Sequence, residues 1–200
     1  MKRIILLAAI IMSSITYSQE NEFADFKKEN SGFFNITKIS YIKAYSIKRE
    51  RFVEGQGGFF SEPDASSSGA NSLQTINGFF LSPSLSVGLG LGLDGYRKPT
   101  LNTLPVFLDV RLYLEENGNS LFAFTDIGAS VRIGGDTSSL RRGGLFNLGG
   151  GYKFSVSRKI DMISEVYFSH KSISRTNEGL RDSNDKLRLN GVGLSIGVMF

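Results

Sequence analysis

The chain of 200 residues has no cysteine, no tryptophan and a single histidine. Without thiols it can build neither a disulfide framework nor a thiolate metal site, and thiol catalysis is excluded. Beyond its first residues it also lacks any apolar run near the roughly 20 residues that a membrane-crossing helix requires. Any passage through a bilayer must therefore use strands, and strands satisfy their backbone groups in lipid only as closed barrels. A strong charge of one sign is missing too. Setting aside Lys2 and Arg3 lowers the 23 basic residues to 21, against 19 acidic ones, and so small an excess gives no support to nucleic-acid binding.

What is present starts with a leader. Lys2 and Arg3 precede the apolar stretch from Ile4 to Met12, and a small-residue site follows at Thr16, Tyr17 and Ser18. This three-part pattern predicts a secretory signal peptide over residues 1–18, cleaved after Ser18. No cysteine follows the apolar stretch, which excludes a lipid-anchored lipoprotein. Residues 19–31 are polar and charged without a period, and they read as a flexible periplasmic segment. Residues 32–200 remain as a single barrel domain.

Eight candidate strands occupy that domain: Gly32 to Ser46, Ser72 to Leu81, Ser84 to Tyr96, Thr103 to Leu114, Ser120 to Ile133, Gly144 to Val156, Lys159 to Ser172 and Lys186 to Phe200. They meet or exceed the roughly 9 to 11 residues of a tilted membrane strand. Short connections (Leu81 to Ser84, Glu115 to Asn119, Ser157-Arg158) alternate with long ones (Ile47 to Asn71, Arg97 to Asn102, Gly134 to Gly143, Ile173 to Asp185). All the long ones fall on one side. The expected fold is all-β, an eight-stranded antiparallel up-and-down transmembrane barrel with both termini periplasmic and the longer loops outside.

Alternation supports this. In the fourth candidate, Leu104, Val106, Leu108, Val110, Leu112 and Leu114 oppose Phe107, Asp109, Arg111 and Tyr113. In the third, Leu85, Val87, Leu89, Leu91 and Leu93 oppose Ser86, three glycines and Asp94. The fifth and seventh follow the same period of two. The first, second and sixth alternate less cleanly, and the eighth changes face between Leu189 and Val192, which suggests a bulge around Gly191. Aromatics gather at the periplasmic ends (Phe33, Phe34, Phe79, Phe80, Tyr113, Phe122, Phe124, Tyr152, Phe154, Phe200) as in an interfacial girdle, although the alternation turns Tyr113, Phe122 and Phe124 toward the lumen. A soluble lipocalin-like carrier is the competing architecture, with its apolar faces inward around a ligand.

The last strand ends Val192, Leu194, Ile196, Val198, Phe200, an alternation that resembles the C-terminal assembly signal of outer-membrane proteins. The stretches Ile76 to Tyr96 (INGFFLSPSLSVGLGLGLDGY) and Leu104 to Tyr113 (LPVFLDVRLY) are similar to small Bacteroidetes-type outer-membrane barrels of the OmpA and OmpX kind. The resemblance covers the whole mature chain. It implies location in the cell outer membrane, recognition of the last strand by the barrel-assembly machinery, and contact with outer-membrane lipid and lipopolysaccharide. It also implies a structural, adhesive or defensive role without catalysis.

The expected lumen holds Asp94, Asp109, Asp126, Asp161 and Glu165 with Arg111, Arg132, Lys153 and Lys171. An eight-stranded barrel is just filled by its side chains, so this set reads as an ion-pair network that plugs the pore rather than a gated channel. The only histidine suggests one enzymatic alternative. Ser169-His170-Lys171-Ser172 lies at the outer end of the seventh strand, and its H-x-S arrangement resembles lipid A deacylases, with His170 as base, Ser172 as nucleophile and Glu178 as the orienting acid. The family's Asn-Ala after the serine is Ile173-Ser174 here, and Glu178 lies nearer to the serine than the family's acid does. The glycines at 88–92 and 149–151 have neither a dinucleotide-binding nor a P-loop context and read as strand glycines. No cofactor or metal is expected. A binding role would fall to the long loop at 47–71, acting on an extracellular ligand.

Overall fold

The computed structural model describes residues 29–53, 57–134, 142–157, 159–174 and 185–200. The expected signal peptide and most of the lead-in lie outside them. Among the described residues nine strands form: β1 (Phe33–Val53), β2 (Gly57–Ser61), β3 (Gly69–Ser82), β4 (Leu85–Arg97), β5 (Leu101–Tyr113), β6 (Ser120–Gly134), β7 (Arg142–Ser155), β8 (Asp161–Ser174) and β9 (Asp185–Met199). Consecutive strands pair antiparallel from β3 to β9. β1 then pairs with both β3 and β9 and closes the ring. The fold is an all-β, closed, eight-stranded antiparallel barrel made of β1 and β3 to β9, with β2 outside the ring.

Each barrel strand carries its period of two to the surface. Leu89, Leu91, Leu93, Val106, Leu108, Leu112, Ile127, Val166 and Leu194 point outward and are exposed. Asp94, Phe107, Asp109, Arg111, Asp126 and Glu165, at the intervening positions, are buried. At some inward glycines a ring fills the space that a side chain would take. A Cβ at Gly90 would lie 2.3 Å from the Phe107 ring, and one at Gly193 would lie 2.2 Å from the Tyr167 ring.

Three expectations are corrected. The first long loop is not irregular: β1 runs past Ser46 to Val53 and folds back through β2, pairing Arg49 with Ser61 and Val53 with Gly57. The face change belongs to β1, not to the last strand. β8 and β9 pair without interruption from Asp161↔Met199 to Ser174↔Lys186, whereas the β1–β9 register slips between Ala44 and Ser46. Leu187 and Leu189 are buried, Val192 and Leu194 exposed, and the strand alternates evenly through Gly191. Apolar residues move to the inner face there because the lumen itself becomes apolar near the loops, where Ile42, Ile47, Leu101, Leu145, Ile173, Leu187 and Leu189 are buried.

The third correction concerns the lead-in, of which residues 29–31 are described. Asn30 is fixed and buried across the turn end of the barrel. Its backbone N–H donates to the Glu116 carbonyl at 3.0 Å, and its side-chain amide donates to the carbonyls of Pro83 at 2.9 Å and Glu115 at 3.2 Å.

Candidate functional site: the lumen and the loop-end rim

Side chains from all eight ring strands converge in the lumen, and the charged ones sort into levels. The central level is built on Arg111 of β5. Its Nε and Nη2 donate to the two oxygens of Asp109, two residues along the same strand, at 2.8 and 2.9 Å. Its Nη1 reaches across the lumen to Glu165 Oε1 at 2.9 Å. Lys38 of β1 donates to the other Glu165 oxygen at 2.8 Å, as does the Ser195 hydroxyl at 2.6 Å. All of these side chains are buried. The Arg111 fork therefore has both of its faces occupied, the bidentate arrangement in which a buried guanidinium is best satisfied.

Asp126 departs from the expected pattern of ion pairs. It lies opposite Asp109 on the neighbouring strand, and the Asn147 amide donates to it at 2.9 Å. A carboxylate facing a carboxylate is compensated by the Lys38 charge and by a neutral donor.

Toward the loops, Lys171 pairs with Asp94 and donates to Thr103 Oγ1 at 3.0 Å. The Ser72 hydroxyl also donates to Asp94, and Gln74 donates in turn to Ser72 at 3.1 Å. At the turn end, Lys153 donates to the Asn30 side chain, and Asp161 is buried at the start of β8. Arg132 stands apart from these levels in burial: it is only half-buried, near the loop end, where its Nε donates to the Gly134 carbonyl at 3.0 Å.

Aromatic rings pack around the central charges. Phe34, Phe80, Tyr113, Phe122, Phe124 and Tyr167 follow one another with centroid separations from 5.1 to 6.2 Å. Arg111 lies 5.1 and 5.3 Å from the Phe122 and Phe124 ring centres, and Lys38 lies 4.9 Å from that of Phe124. The girdle expected from sequence thus divides. Phe33, Phe79, Phe154 and Phe200 face outward, whereas Phe34 and Phe80 join Tyr113, Phe122 and Phe124 inside. A lumen filled with ion pairs and rings is the inverse of a carrier's, since the apolar faces are outside. The lipocalin-like reading is set aside on that ground.

Sequence reasoning missed Lys38. On β1, Ile36, Lys38, Ser40 and Ile42 point inward while Thr37, Ile39, Tyr41 and Lys43 point outward, so both faces mix polar and apolar residues. The surplus of acids in the expected set was the available signal that a further base faced the lumen.

His170 is on the outer face of β8, as its even position requires, and its Nδ1 lies 2.6 Å from Asn190 Oδ1 of β9. Ser172 is on the same face, half-buried, and among the described residues no hydrogen bond joins the two. Glu178 lies outside the described residues. Of the C-terminal alternation, Val192, Leu194, Ile196 and Phe200 are outward and exposed, and Val198 is half-buried on the same face. The backbone of Phe200 exchanges two hydrogen bonds with Asn35 at 2.9 and 3.2 Å.

At the loop-end rim, the β1 extension and β2 form a hairpin that projects beyond the ring. Every residue of β2 is exposed, and Phe59 and Phe60 reach 52% and 81% exposure. Arg188 of β9 pairs with Glu50 at its base at 2.9 Å, and Lys48 pairs with Glu62 at 3.1 Å.

A closed ring of eight strands with an apolar exterior and a charged, filled interior defines a class of barrel, and solved structures of that class match it. The outer membrane protein OprG from Pseudomonas aeruginosa superimposes with a TM-score of 0.58 at 11% sequence identity, over 86% of this chain and 96% of that one. The outer membrane protein AlkL, solved by solid-state NMR in lipid bilayers, gives 0.53 at 15% identity, over 91% and 95%. Neisserial surface protein A gives 0.50 at 12% identity, over 84% and 96%. At these identities the likeness is one of fold. No protein-family model matches the chain, and no curated protein matches it in sequence.

Proposed function

We propose that the chain is an integral protein of the cell outer membrane, with both termini periplasmic, closed to solute by its own side chains, and that it acts non-enzymatically as a binding surface at the loop end. The inverted polarity carries this reading. Leucine, isoleucine and valine outside with buried ion pairs inside is the distribution that lipid selects and water penalises. Recognition of the strand ending at Phe200 by the barrel-assembly machinery belongs to the same reading. The binding work is assigned to the β1–β2 hairpin, because two adjacent exposed phenylalanines on a projecting ribbon are the kind of aromatic anchor on which partner surfaces concentrate their affinity.

Fractionation of expressing cells tests the first part. The protein should be extracted from outer membranes only by detergent, and it should migrate differently on gels before and after boiling. Recovery in the soluble fraction with no heat-dependent shift would overturn it. The second part is tested by replacing Phe59 and Phe60 with serine, which should abolish attachment of whole cells to the partner surface while leaving the heat-dependent migration intact.

One observation favours a second reading, an ester hydrolase at His170 and Ser172. Nδ1 of His170 is engaged by Asn190, so its Nε2 carries the free lone pair when Nδ1 bears the proton, the tautomer that a general base needs. Ser172→Ala should then abolish release of fatty acid from lipid A; unchanged release, or none from the parent chain, disposes of the reading.

A further inference from the structure

At the turn end of the barrel an amine, a carboxamide and a carboxylate are buried together: Lys153 of β7, Asn30 before β1 and Asp161 at the start of β8. Lys153 Nζ donates to Asn30 Oδ1. The other half of that carboxamide is fixed as well, since Asn30 Nδ2 donates to the carbonyls of Pro83 at 2.9 Å and Glu115 at 3.2 Å. Asp161 lies opposite Ser155, two residues from Lys153 along β7 and with the same strand parity. Its Oδ1 has no hydrogen-bond partner among the described residues.

The surroundings are apolar. The Tyr113 ring centre lies 5.5 Å from Lys153 Nζ, and Asn30 and Asp161 line one recess with Phe34, Phe80, Met199 and Phe200. The recess has a volume of about 10 Å³, room for one molecule of the size of water or ammonia. An amine in contact with a carboxamide, beside a carboxylate and away from bulk water, is the constellation that forms an amide between side chains. Contact supplies the effective concentration, and the dry site withholds the water that would compete for the carbonyl carbon.

We propose that Lys153 and Asn30 become joined by an isopeptide bond once the barrel has folded, with Asp161 carrying the proton. Asp161 takes a proton from the lysine ammonium, and the freed amine attacks Cγ of Asn30 to form the new C–N bond. The attacking nitrogen passes a proton to Nδ2, the Cγ–Nδ2 bond breaks, and ammonia leaves into the recess. It collects the proton held by Asp161 and departs as ammonium. One ammonium side chain and one carboxamide enter, one secondary amide and one free ammonium result, and no oxidant, nucleotide or metal is consumed. The bond ties the segment before β1 to β7 across the turn end, between residues 123 apart in the chain. It does not depend on where the barrel resides, so it stands apart from the membrane reading.

The full chain, expressed in cells, recovered folded and digested with trypsin, tests the proposal by mass spectrometry. Trypsin does not cut after a lysine whose amine is acylated. The wild type should therefore yield one branched peptide, residues 29–38 joined to residues 143–158, lighter by one ammonia than the two together. Fragmentation places that loss at the branch and separates it from cyclisation of Gln19, which also releases ammonia. Lys153→Arg keeps the charge and the hydrogen bond to Asn30 but removes the nucleophile, and Asp161→Asn keeps the shape but removes the proton carrier. Both should fold and give residues 29–38 as a linear peptide only. Linear peptides alone from the folded wild type overturn the bond, whatever the variants do. A branched peptide undiminished in Asp161→Asn overturns the part given to Asp161.

Discussion

Asp109 and Asp126 stand directly opposite each other on β5 and β6, two buried carboxylates on one rung of the lumen. Their surroundings differ. Asp109 holds both arms of the Arg111 fork, whereas Asp126 accepts from the neutral amide of Asn147, and its other oxygen has no hydrogen-bond partner among the described residues.

The two positions should therefore respond oppositely to the same change. Asp126→Asn removes a like charge from a cross-strand pair and should leave stability unchanged or raise it by up to about 1 kcal/mol. Asp109→Asn strips Arg111 of one carboxylate in a dry site and should cost about 3 to 5 kcal/mol, as should Glu165→Gln, which weakens the pairing of both Lys38 and Arg111. Glu62→Gln breaks a pair in which both side chains are at least half exposed and should cost less than about 1 kcal/mol. Reversible urea unfolding in lipid vesicles measures all four. Equal effects at positions 109 and 126 would show that the fork does not organise the lumen.

Glycine substitutions separate crowded from open inner and outer faces. At Gly90, a Cβ would sit 2.3 Å from two atoms of the Phe107 ring, so Gly90→Ala must displace a packed aromatic and should cost about 1 to 3 kcal/mol, the usual range for overpacking. Gly95→Ala meets nothing closer than 3.6 Å and should fold like the parent chain. The fraction showing heat-dependent gel migration reports both.

Acid should loosen the segment after β2 only once pH falls below the ordinary carboxyl range. The carboxyl of Asp64 is held below its ordinary value of 3.8, chiefly because the Ser66 hydroxyl and backbone N–H donate to it. A lowered folded value stabilises this turn above the ordinary carboxyl range, and that contribution is lost as pH falls through the lowered value. Carbon-detected NMR titration should place the Asp64 midpoint below 3.8, and Ser66→Ala should raise it toward that figure. A midpoint at or above 3.8 in the parent chain would mean that the turn is not formed in solution.

The barrel was legible in the sequence where one face of a strand is uniformly apolar. β4 and β5 keep leucine or valine at alternate positions against mostly polar or glycine partners, and β6 follows them with alanine and threonine interspersed, so their facing follows directly from the pleat. Legibility failed where the lumen changes character along its axis. Leu187 and Leu189 have the apolar character that marks outward residues on other strands, yet they belong to an apolar layer beneath the loops. Lys38 was hidden on a strand with two mixed faces. The β2 hairpin was hidden by the glycines at 55, 57 and 58, which read as loop, although its alternating neighbours Arg49, Arg51 and Val53 are in register with Ser61, Phe59 and Gly57. Aromatic position along a strand did not reveal facing, since Phe33 and Phe34 are adjacent and point to opposite sides.

The seam between β1 and β9 joins the first and last strands of the ring, and it continues past the Tyr45 bulge to Arg51↔Asp185, beside the base of the hairpin. Few contacts in the molecule span more of the sequence, and pairings of such separation form late because the intervening chain must first be gathered in. The phenylalanines of β2 pair with β1, and the other edge of that β1 arm is filled once the last strand has arrived. Closure of the ring is thus the step that fastens the base of the projecting hairpin to the rest of the barrel.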